Sequence, residues 1–318
     1  MGFRSIAAGA TLALLLAVSP AAAVYPEKAV RLLVGQPPGT SVDLVARLLA
    51  NHLSDKLKQP FIVENKIGAQ GLIAAKEVVT AAPNGYTLHL AGSIAALNST
   101  MKEGANIAQQ LSYISLLRRS PTYLAMTVKR PFSNFIDLMD FGRKNPKVLN
   151  YGSTAKSLEL YTVAINKAAQ LDSVHVAFRS SANAATALAS GDIDYYLDSL
   201  FSIEASVSRG QAKLVSSTSA KRSAERPDVP SLTEAGLPGL DLLITYGIVG
   251  PKGLPDDIIA ILNEGIREFT ANKTIIEKFA GMGQGLPVSS TPEEFRTQVL
   301  AEIRTIEDAA AFIGMARE

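Results

Sequence analysis

The hydrophobic residues of this chain alternate between short apolar runs and longer stretches with helical spacing. Ala29–Val34 is apolar except for Arg31 and has the length of a strand, and leucines recur at helical spacing between Asp43 and Leu57. Phe61–Glu64 and Tyr86–Ala91 are predicted to be two further strands, with a second helix ending near Ala81 between them. A strand–helix–strand–helix–strand order predicts a parallel sheet with right-handed crossovers.

The same alternation restarts after this first unit and then returns to it. Further strands are predicted at Tyr113–Leu117, Thr122–Val128, Lys147–Tyr151, Val174–Phe178, Ile193–Leu197, Lys213–Ser217 and Ile244–Val249. Helices are predicted at Phe135–Arg143, after the loop Gly152–Thr154 as far as about Gln170, at Ala182–Ala189, and from Asp256 onwards. This order predicts an α/β protein with two lobes: residues 24–120 and 236–318 form one, and residues 121–235 are inserted as the other. A hinged clamp of this kind places a small ligand in the crevice between its lobes.

The first residues predict export of the protein. Arg4 is the only charged residue before Glu27, an apolar run extends from Ile6 to Val18, and small residues follow at Ala21–Ala23. A basic start, a short apolar core and a small-residue exit are typical of a secretory signal. We expect residues 1–23 to be a signal peptide that is cleaved after Ala23. The apolar run is too short to be a membrane anchor, and no later stretch is long enough to span a bilayer.

Composition excludes several classes of protein. Hydrophobic residues make up 47% of the chain, which is enough for a sizeable core. The formal net charge is only +2 and the basic residues are scattered among acidic ones, which argues against a nucleic-acid partner. The chain has no cysteine, so thiolate metal sites and cysteine nucleophiles are absent. We expect no metal site.

Five segments of the chain resemble, in the same order, segments of one family. They are Pro37–Gly39 with Asp43–Arg47, Val63–Ala69, Ala82–Leu88, Leu149–Ser153 and Arg226–Gly236. On these segments, the chain resembles the Bug-type extracytoplasmic solute receptors of tripartite tricarboxylate transport systems. The similarity begins at Tyr25 and covers nearly the whole of the predicted mature chain.

The resemblance implies a periplasmic-binding-protein-like clamp, type II-like, with two lobes, parallel-rich sheets and a hinge between the lobes. It also implies a periplasmic receptor without a cofactor, which captures a small carboxylate and delivers it to a membrane permease of a tripartite transporter. A ligand-sensing subunit of a signalling system is an alternative. We expect a monomer.

In the first lobe, the predicted ligand contacts lie in the loops after the strands, where parallel sheets form their binding crevice. These candidates are Pro38, Gly39, Thr40, Ser41, Gln70, Gly71 and Ser93. Glycines allow close approach of the backbone, and a carboxylate is bound well by the N–H groups at a helix N-terminus. Thr40, Ser41 and Asp43 are also candidate N-caps, and for Asp43 we favour the cap. Thr40 and Gln70 replace glycines that are usual in the family, so we expect an altered pocket.

In the second lobe, the predicted contacts are Ser153, Thr154, Lys156, Arg179 and Asp198. Lys156 and Arg179 are the cations expected to pair with an anionic ligand, and the alternative for both is a solvent-facing charge. Arg179 is slightly favoured, because it occupies a position that resembles a cleft loop of the family. For Asp198, which follows a strand, capping of the next helix is favoured over binding of an ammonium group. The hydroxyl groups of Ser153 and Thr154 are either ligand donors or ordinary loop contacts.

An enzyme is the rival class of function. Ser153 and Lys156 match the Ser-x-x-Lys spacing of serine acyl-enzymes, which gives a periplasmic serine hydrolase as the alternative. However, no Lys-Thr-Gly element accompanies them, and the three histidines, His52, His89 and His175, are far apart in the sequence. We therefore expect that the protein is not an enzyme and has no catalytic residue.

Overall fold

The computed structural model describes residues 25–315 apart from residues 93, 101, 283 and 284. The predicted signal peptide, its cleavage site and the candidate Ser93 lie outside the described residues, and so does the side chain of Ser41. No helix within the described part of the chain combines the length and the apolar character needed to cross a membrane.

The chain forms ten strands and ten α-helices over the residues described. The strands are β1 (Val30–Val34), β2 (Phe61–Asn65), β3 (Thr87–Gly92), β4 (Leu111–Pro121), β5 (Tyr123–Thr127), β6 (Asn150–Ser153), β7 (Val174–Ala177), β8 (Tyr195–Asp198), β9 (Ala212–Ser217) and β10 (Leu243–Pro251). The helices are α1 (Ser41–Leu57), α2 (Leu72–Thr80), α3 (Ile94–Thr100), α4 (Phe135–Lys144), α5 (Lys156–Ala169), α6 (Ser181–Ser190), α7 (Leu200–Ser208), α8 (Asp256–Ala271), α9 (Lys273–Gly281) and α10 (Pro292–Phe312).

The strands form two sheets of five. The first has the order β2-β1-β3-β10-β4, and the second, built only from strands between β4 and β10, has the order β7-β6-β8-β5-β9. In the first sheet β1 runs parallel to β2 and β3, and β10 runs antiparallel to β3 and β4. In the second sheet β6 runs parallel to β7 and β8, and β5 runs antiparallel to β8 and β9. Both sheets are therefore mixed rather than parallel-rich, because β10 in the first sheet and β5 in the second run antiparallel to both of their neighbours.

The chain passes between the two sheets twice, from β4 to β5 and from β9 to β10. The buried residue Thr218 links these two crossings through hydrogen bonds. Thr218 follows β9 and accepts the backbone N–H of Thr122 on its hydroxyl at 2.9 Å. The same hydroxyl donates to the carbonyl oxygen of Leu242, just before β10, at 2.6 Å. Backbone bonds of 2.9 Å join Thr218 N–H to Thr122 O and Leu242 N–H to Thr218 O. Thr218 is fully buried, so these bonds are protected from water.

A helix–helix contact forms a further link between the sheets. Helix α5, which follows β6, packs on α10, the last helix of the chain. The hydroxyl of Tyr161 on α5 lies 3.1 Å from the carbonyl oxygen of Leu243 and also donates to the carboxylate of Glu302 on α10. These three residues line a cavity of about 220 Å³ beside the crossings, together with the Arg119–Asp241 ion pair.

The elements follow the predicted pattern closely, with two instructive differences. Helix α3, at Ile94–Thr100, was not predicted. Strand β6 was predicted at Lys147–Tyr151 but begins only at Asn150. The reason is a turn: Lys147 has a left-handed backbone with φ of 62°. The backbone N–H of Lys147 donates to the carbonyl oxygen of Asp172 instead of forming a hydrogen bond with a neighbouring strand.

Candidate functional site

The carboxyl ends of β1 and β3 meet at one edge of the first sheet. Strand β1 leads into Gly35, and β3 ends at Gly92, which pairs with Tyr246 of β10. A Cβ atom on Gly35 would lie 2.6 Å from the Cα of Gly71, so only glycine allows the two loops to approach this closely. A small cavity of about 50 Å³ lies here, and its walls include His89, Gln70 and Tyr246.

The loop between β1 and α1 is held by Asp43 from inside the helix. Thr40 is the N-cap and accepts the N–H of Asp43, so the expectation that Asp43 is the cap is wrong. Asp43 is 1% exposed and accepts the N–H of Gly39 at 2.9 Å, together with bonds from Arg47 and Asn65. Burial opposes ionisation of Asp43, but the bonds from Arg47, Gly39 and Asn65 outweigh it, so the pKa lies below its ordinary value. Pro38 and Gly39 are exposed at the crest of this loop.

Gln70 lines the same small cavity as residues of this loop. Ala69 and Gln70 both have left-handed backbones, with φ of 44° and 56°, and Gly71 follows with φ of 98°. Gln70 is exposed, and its side chain makes no hydrogen bond within the described part of the chain. The predicted candidates Gln70 and Gly71 therefore lie together on the wall of the small cavity.

At the corresponding edge of the second sheet, β6 ends at Ser153 and α5 begins three residues later. Ser153 is 4% exposed, and its hydroxyl lies 2.7 Å from Nε2 of His175. Ala155 is the N-cap of α5 and offers no side-chain hydrogen bond to the first turn. The helices α6 and α7, by contrast, are capped by the hydroxyls of Ser180 and Ser199. The N-cap of α5 thus provides no side-chain acceptor for the N–H groups that open this helix, next to Thr154.

The two predicted cations differ in their surroundings. The ammonium of Lys156 pairs with Glu159 at 3.0 Å, and Glu159 lies 3.7 Å from Nδ1 of His175. Burial lowers the pKa of His175, while Glu159 opposes this shift. Arg179 is exposed just after β7 and makes no hydrogen bond or ion pair with the described residues. Arg179 therefore remains available for an anionic ligand.

Asp198 ends β8 and holds the starts of two helices. Asp198 is 7% exposed and accepts bonds from the hydroxyls of Tyr196 and Ser181 and from the N–H of Ser199. The N-cap of α7 is Ser199, so the prediction that Asp198 caps this helix is wrong. The carboxylate instead fixes the positions of α6 and α7 relative to β8.

Three polar residues near the first-sheet edge were not predicted as site residues. His89 lies inside β3, Tyr246 lies in β10, and Arg118 of β4 places its guanidinium 5.8 Å from the centre of the Tyr246 ring. Burial lowers the pKa of Arg118, which remains a cation, and Tyr246 and Glu225 oppose the shift. The signal in the sequence was a polar or charged residue within an otherwise apolar strand.

The family model named "Tripartite tricarboxylate transporter family receptor" matches residues 45–295. The chain belongs to this receptor family. A UPF0065 protein of Bordetella bronchiseptica is 34% identical over 276 residues, which cover 85% of this chain and 82% of the relative. The predicted resemblance is therefore confirmed.

Two solved structures have a similar fold over nearly the whole chain. A Rhodopseudomonas palustris protein solved with adipate superposes with a TM-score of 0.73 at 27% identity, over 92% of this chain and 99% of that one. The MatC protein of the same organism, with bound malate, superposes with a TM-score of 0.70 at 25% identity, over 90% and 99% of the two chains. The two-lobed α/β clamp is confirmed.

Because the chain belongs to a family of transporter receptors, it is a solute-binding receptor and not an enzyme. The hydrolase alternative built on Ser153 and Lys156 is therefore wrong. Within the described residues, no group of three or more His, Cys, Asp or Glu side chains is arranged to hold a metal ion.

Proposed function

We propose that this receptor captures a small carboxylate-bearing solute between its two lobes in the periplasm and delivers it to the permease of a tripartite transporter. One observation carries the ligand class: helix α5 begins at the end of β6 without a side-chain cap. The N-terminus of a helix offers N–H donors and the positive end of its dipole, both of which favour a carboxylate.

The charges around the two sheet edges support the same ligand class. The carboxylates of Asp43, Glu159 and Asp198 are already bonded within the protein. Arg179 is exposed without such a partner, and an arginine can bind a carboxylate through two parallel hydrogen bonds. Adipate and malate, the ligands of the two R. palustris structures, are both dicarboxylates and agree with this assignment.

Capture requires the lobes to close on the ligand. We assign residues 24–120 and 236–318 to one lobe and residues 121–235 to the other, with the crossings at Thr122 and Thr218 as the hinge. A ligand that contacts both lobes binds the closed form more tightly and shifts the population towards it. The proposed contacts are Pro38, Gly39, Thr40, Ser41, Gln70, Gly71 and Ser93 on one side, and Ser153, Thr154, Lys156, Arg179 and Asp198 on the other.

Binding is tested by titrating the secreted protein with paired compounds that differ only in charge. Succinate and adipate are compared with the neutral diamides succinamide and adipamide, and sugars serve as unrelated solutes. A ligand at 100 times its Kd stabilises the native state by about 2.7 kcal/mol, which a thermal-shift measurement detects. We expect stabilisation by one or more carboxylates and none by the diamides. Stabilisation by sugars alone would contradict the proposal.

Export and partnership are tested separately. We propose that the secreted protein begins at Val24, after removal of residues 1–23, and that it is monomeric. Mass spectrometry of the protein recovered from the periplasm measures the first residue, and sedimentation measures the mass in solution. Co-purification with the membrane permease in the presence of ligand tests delivery, and a complex that forms equally well without ligand would contradict ligand-dependent delivery.

A further inference from the structure

The small cavity at the edge of the first sheet contains a buried histidine with one unused nitrogen. His89 is 3% exposed, and its Nδ1 lies 2.9 Å from the carbonyl oxygen of Leu33. A carbonyl oxygen can only accept, so Nδ1 carries the proton and Nε2 is left as a hydrogen-bond acceptor. Burial lowers the pKa of His89 to about 4, which keeps the ring neutral near pH 7.

Nε2 of His89 has no hydrogen-bond partner within the described part of the chain, although its ring lines the cavity. The hydroxyl of Tyr246, on the same cavity, likewise makes no hydrogen bond to the described residues. Two side-chain atoms on one cavity that can form hydrogen bonds and have no partner in the described protein are suited to a polar group of a ligand.

The position of Tyr246 is fixed by close packing. A Cβ atom on Gly92 would lie 2.4 Å from the Tyr246 ring, so the ring lies directly on the backbone of β3. The guanidinium of Arg118 lies 5.8 Å from the ring centre, on the same tyrosine. The Tyr246 ring is therefore held in place on the cavity wall, which His89 and the exposed Gln70 also line.

The size of the cavity limits what can enter it. A volume of about 50 Å³ accommodates a group of a few heavy atoms at most, since about 10–15 Å³ of such space holds one water molecule. A carboxylate oxygen directed at Nε2 would place two acceptors against each other, whereas a hydroxyl or ammonium group can donate to Nε2.

We propose that His89, Tyr246 and Gln70 form a subsite for a hydroxyl or amino group of the ligand, so that the receptor selects hydroxy- or amino-substituted carboxylic acids over unsubstituted ones. This inference rests on the proposed function, because it assumes that the carboxylate is bound by the rest of the site. The substituent enters the cavity and donates to Nε2 of His89, while the hydroxyl of Tyr246 donates to or accepts from the same group.

The test compares matched acids by isothermal titration calorimetry. Each series keeps the carbon skeleton and changes one substituent: propionate, lactate and alanine; succinate, malate and aspartate; glutarate, 2-hydroxyglutarate and glutamate. One net hydrogen bond contributes about 1 kcal/mol. We therefore expect the hydroxy or amino acid of the preferred skeleton to bind about fivefold or more tightly than its unsubstituted partner. His89→Leu should reduce this preference to less than about twofold, and Tyr246→Phe should reduce it in part.

His52→Leu is the matched control, since His52 lies on α1 and contacts the carbonyl of Gly265 far along the chain. This variant should keep the full preference. If His89→Leu does not fold, Tyr246→Phe tests the subsite instead. This variant should fold, because the hydroxyl that it removes has no partner among the described residues. Equal affinity for substituted and unsubstituted acids in every series would overturn the subsite and leave the carboxylate receptor intact. Failure of every acid to bind would overturn the proposed function itself.

Discussion

The hydroxyl of Ser153 lies 2.7 Å from Nε2 of His175, and Glu159 lies 3.7 Å from Nδ1 of the same ring. Serine, histidine and an acid in this order resemble the catalytic triad of hydrolases. However, 3.7 Å is too long for a hydrogen bond, and Glu159 is paired with Lys156 at 3.0 Å. Ser153 is also only 4% exposed. The network therefore orders the start of α5 rather than activating a nucleophile.

Replacement of Ser153 tests this interpretation. We predict that Ser153→Ala leaves the slow hydrolysis of p-nitrophenyl acetate unchanged, because a receptor has no nucleophile for the substitution to remove. The same substitution should weaken carboxylate binding by about fivefold, since it deletes a hydroxyl beside the uncapped start of α5. Hydrolysis is followed by absorbance and binding by calorimetry. A burst of product in the wild-type protein that Ser153→Ala abolishes would restore the enzyme hypothesis.

The sequence predicted those parts of the molecule that depend on local pattern. Apolar runs located the strands, and the order of strands and helices gave the inserted second sheet. The contacts of individual side chains were not predictable in the same way. Tyr161 meets Glu302 across 141 positions, and Ser153 meets His175 across 22, through packing that no local spacing encodes. Asp198 was expected to cap a helix, but the tertiary fold brings Ser181 and Tyr196 to it instead.

Arg179 is predicted to contribute to binding through its charge. We expect Arg179→Ala to weaken binding of the preferred carboxylate by about tenfold, because a hydrogen bond to a charged group contributes about 1.5–3 kcal/mol and part of this is lost to solvent screening at an exposed site. Arg179→Lys should give an intermediate affinity, since lysine retains the charge but not the planar fork. The affinities are measured by calorimetry at low and moderate salt.

The control for Arg179 is Arg209→Ala, which makes the same change of charge. Arg209 is also exposed but lies at the carboxyl-terminal end of α7, where it bonds to Gln211. The affinity of Arg209→Ala should equal that of the wild type. A loss of affinity of the same size in both variants would mean that only the net charge of the protein matters, and an unchanged affinity in Arg179→Ala would place Arg179 outside the site.

Thr218 is predicted to stabilise the junction of the two sheets. Thr218→Val keeps the shape of the side chain but removes the hydroxyl, which leaves the N–H of Thr122 and the carbonyl oxygen of Leu242 without this partner. We expect the free energy of unfolding to fall by about 1–3 kcal/mol, as for other buried polar groups that lose a partner. Urea denaturation measures the change. Thr186→Val, an exposed threonine on α6 that bonds only its own helix, should cost less than about 0.5 kcal/mol.

Glu302 is predicted to make the stability of the receptor fall as the pH rises from about 4.5 to about 7. Burial raises the pKa of Glu302 to about 7 from its ordinary value of 4.5, and this effect outweighs the opposing influence of Tyr161 and Arg119. Between these two values the folded protein holds a proton that the unfolded chain has released. The free energy of unfolding therefore decreases as the pH rises through this range, by at most roughly 3 kcal/mol.

Glu302→Gln removes this titration while keeping a side chain of the same size beside Tyr161. We expect the free energy of unfolding of the wild type to fall more steeply between pH 5 and pH 8 than that of Glu302→Gln, as measured by urea denaturation at each pH. His89, whose pKa burial lowers to about 4, changes stability in the opposite direction at acidic pH, but equally in both proteins. Glu264→Gln, at an exposed position on α8, should follow the wild-type profile. Parallel profiles for the wild type and Glu302→Gln would show that the Glu302 carboxyl is solvated at the junction of α5 and α10.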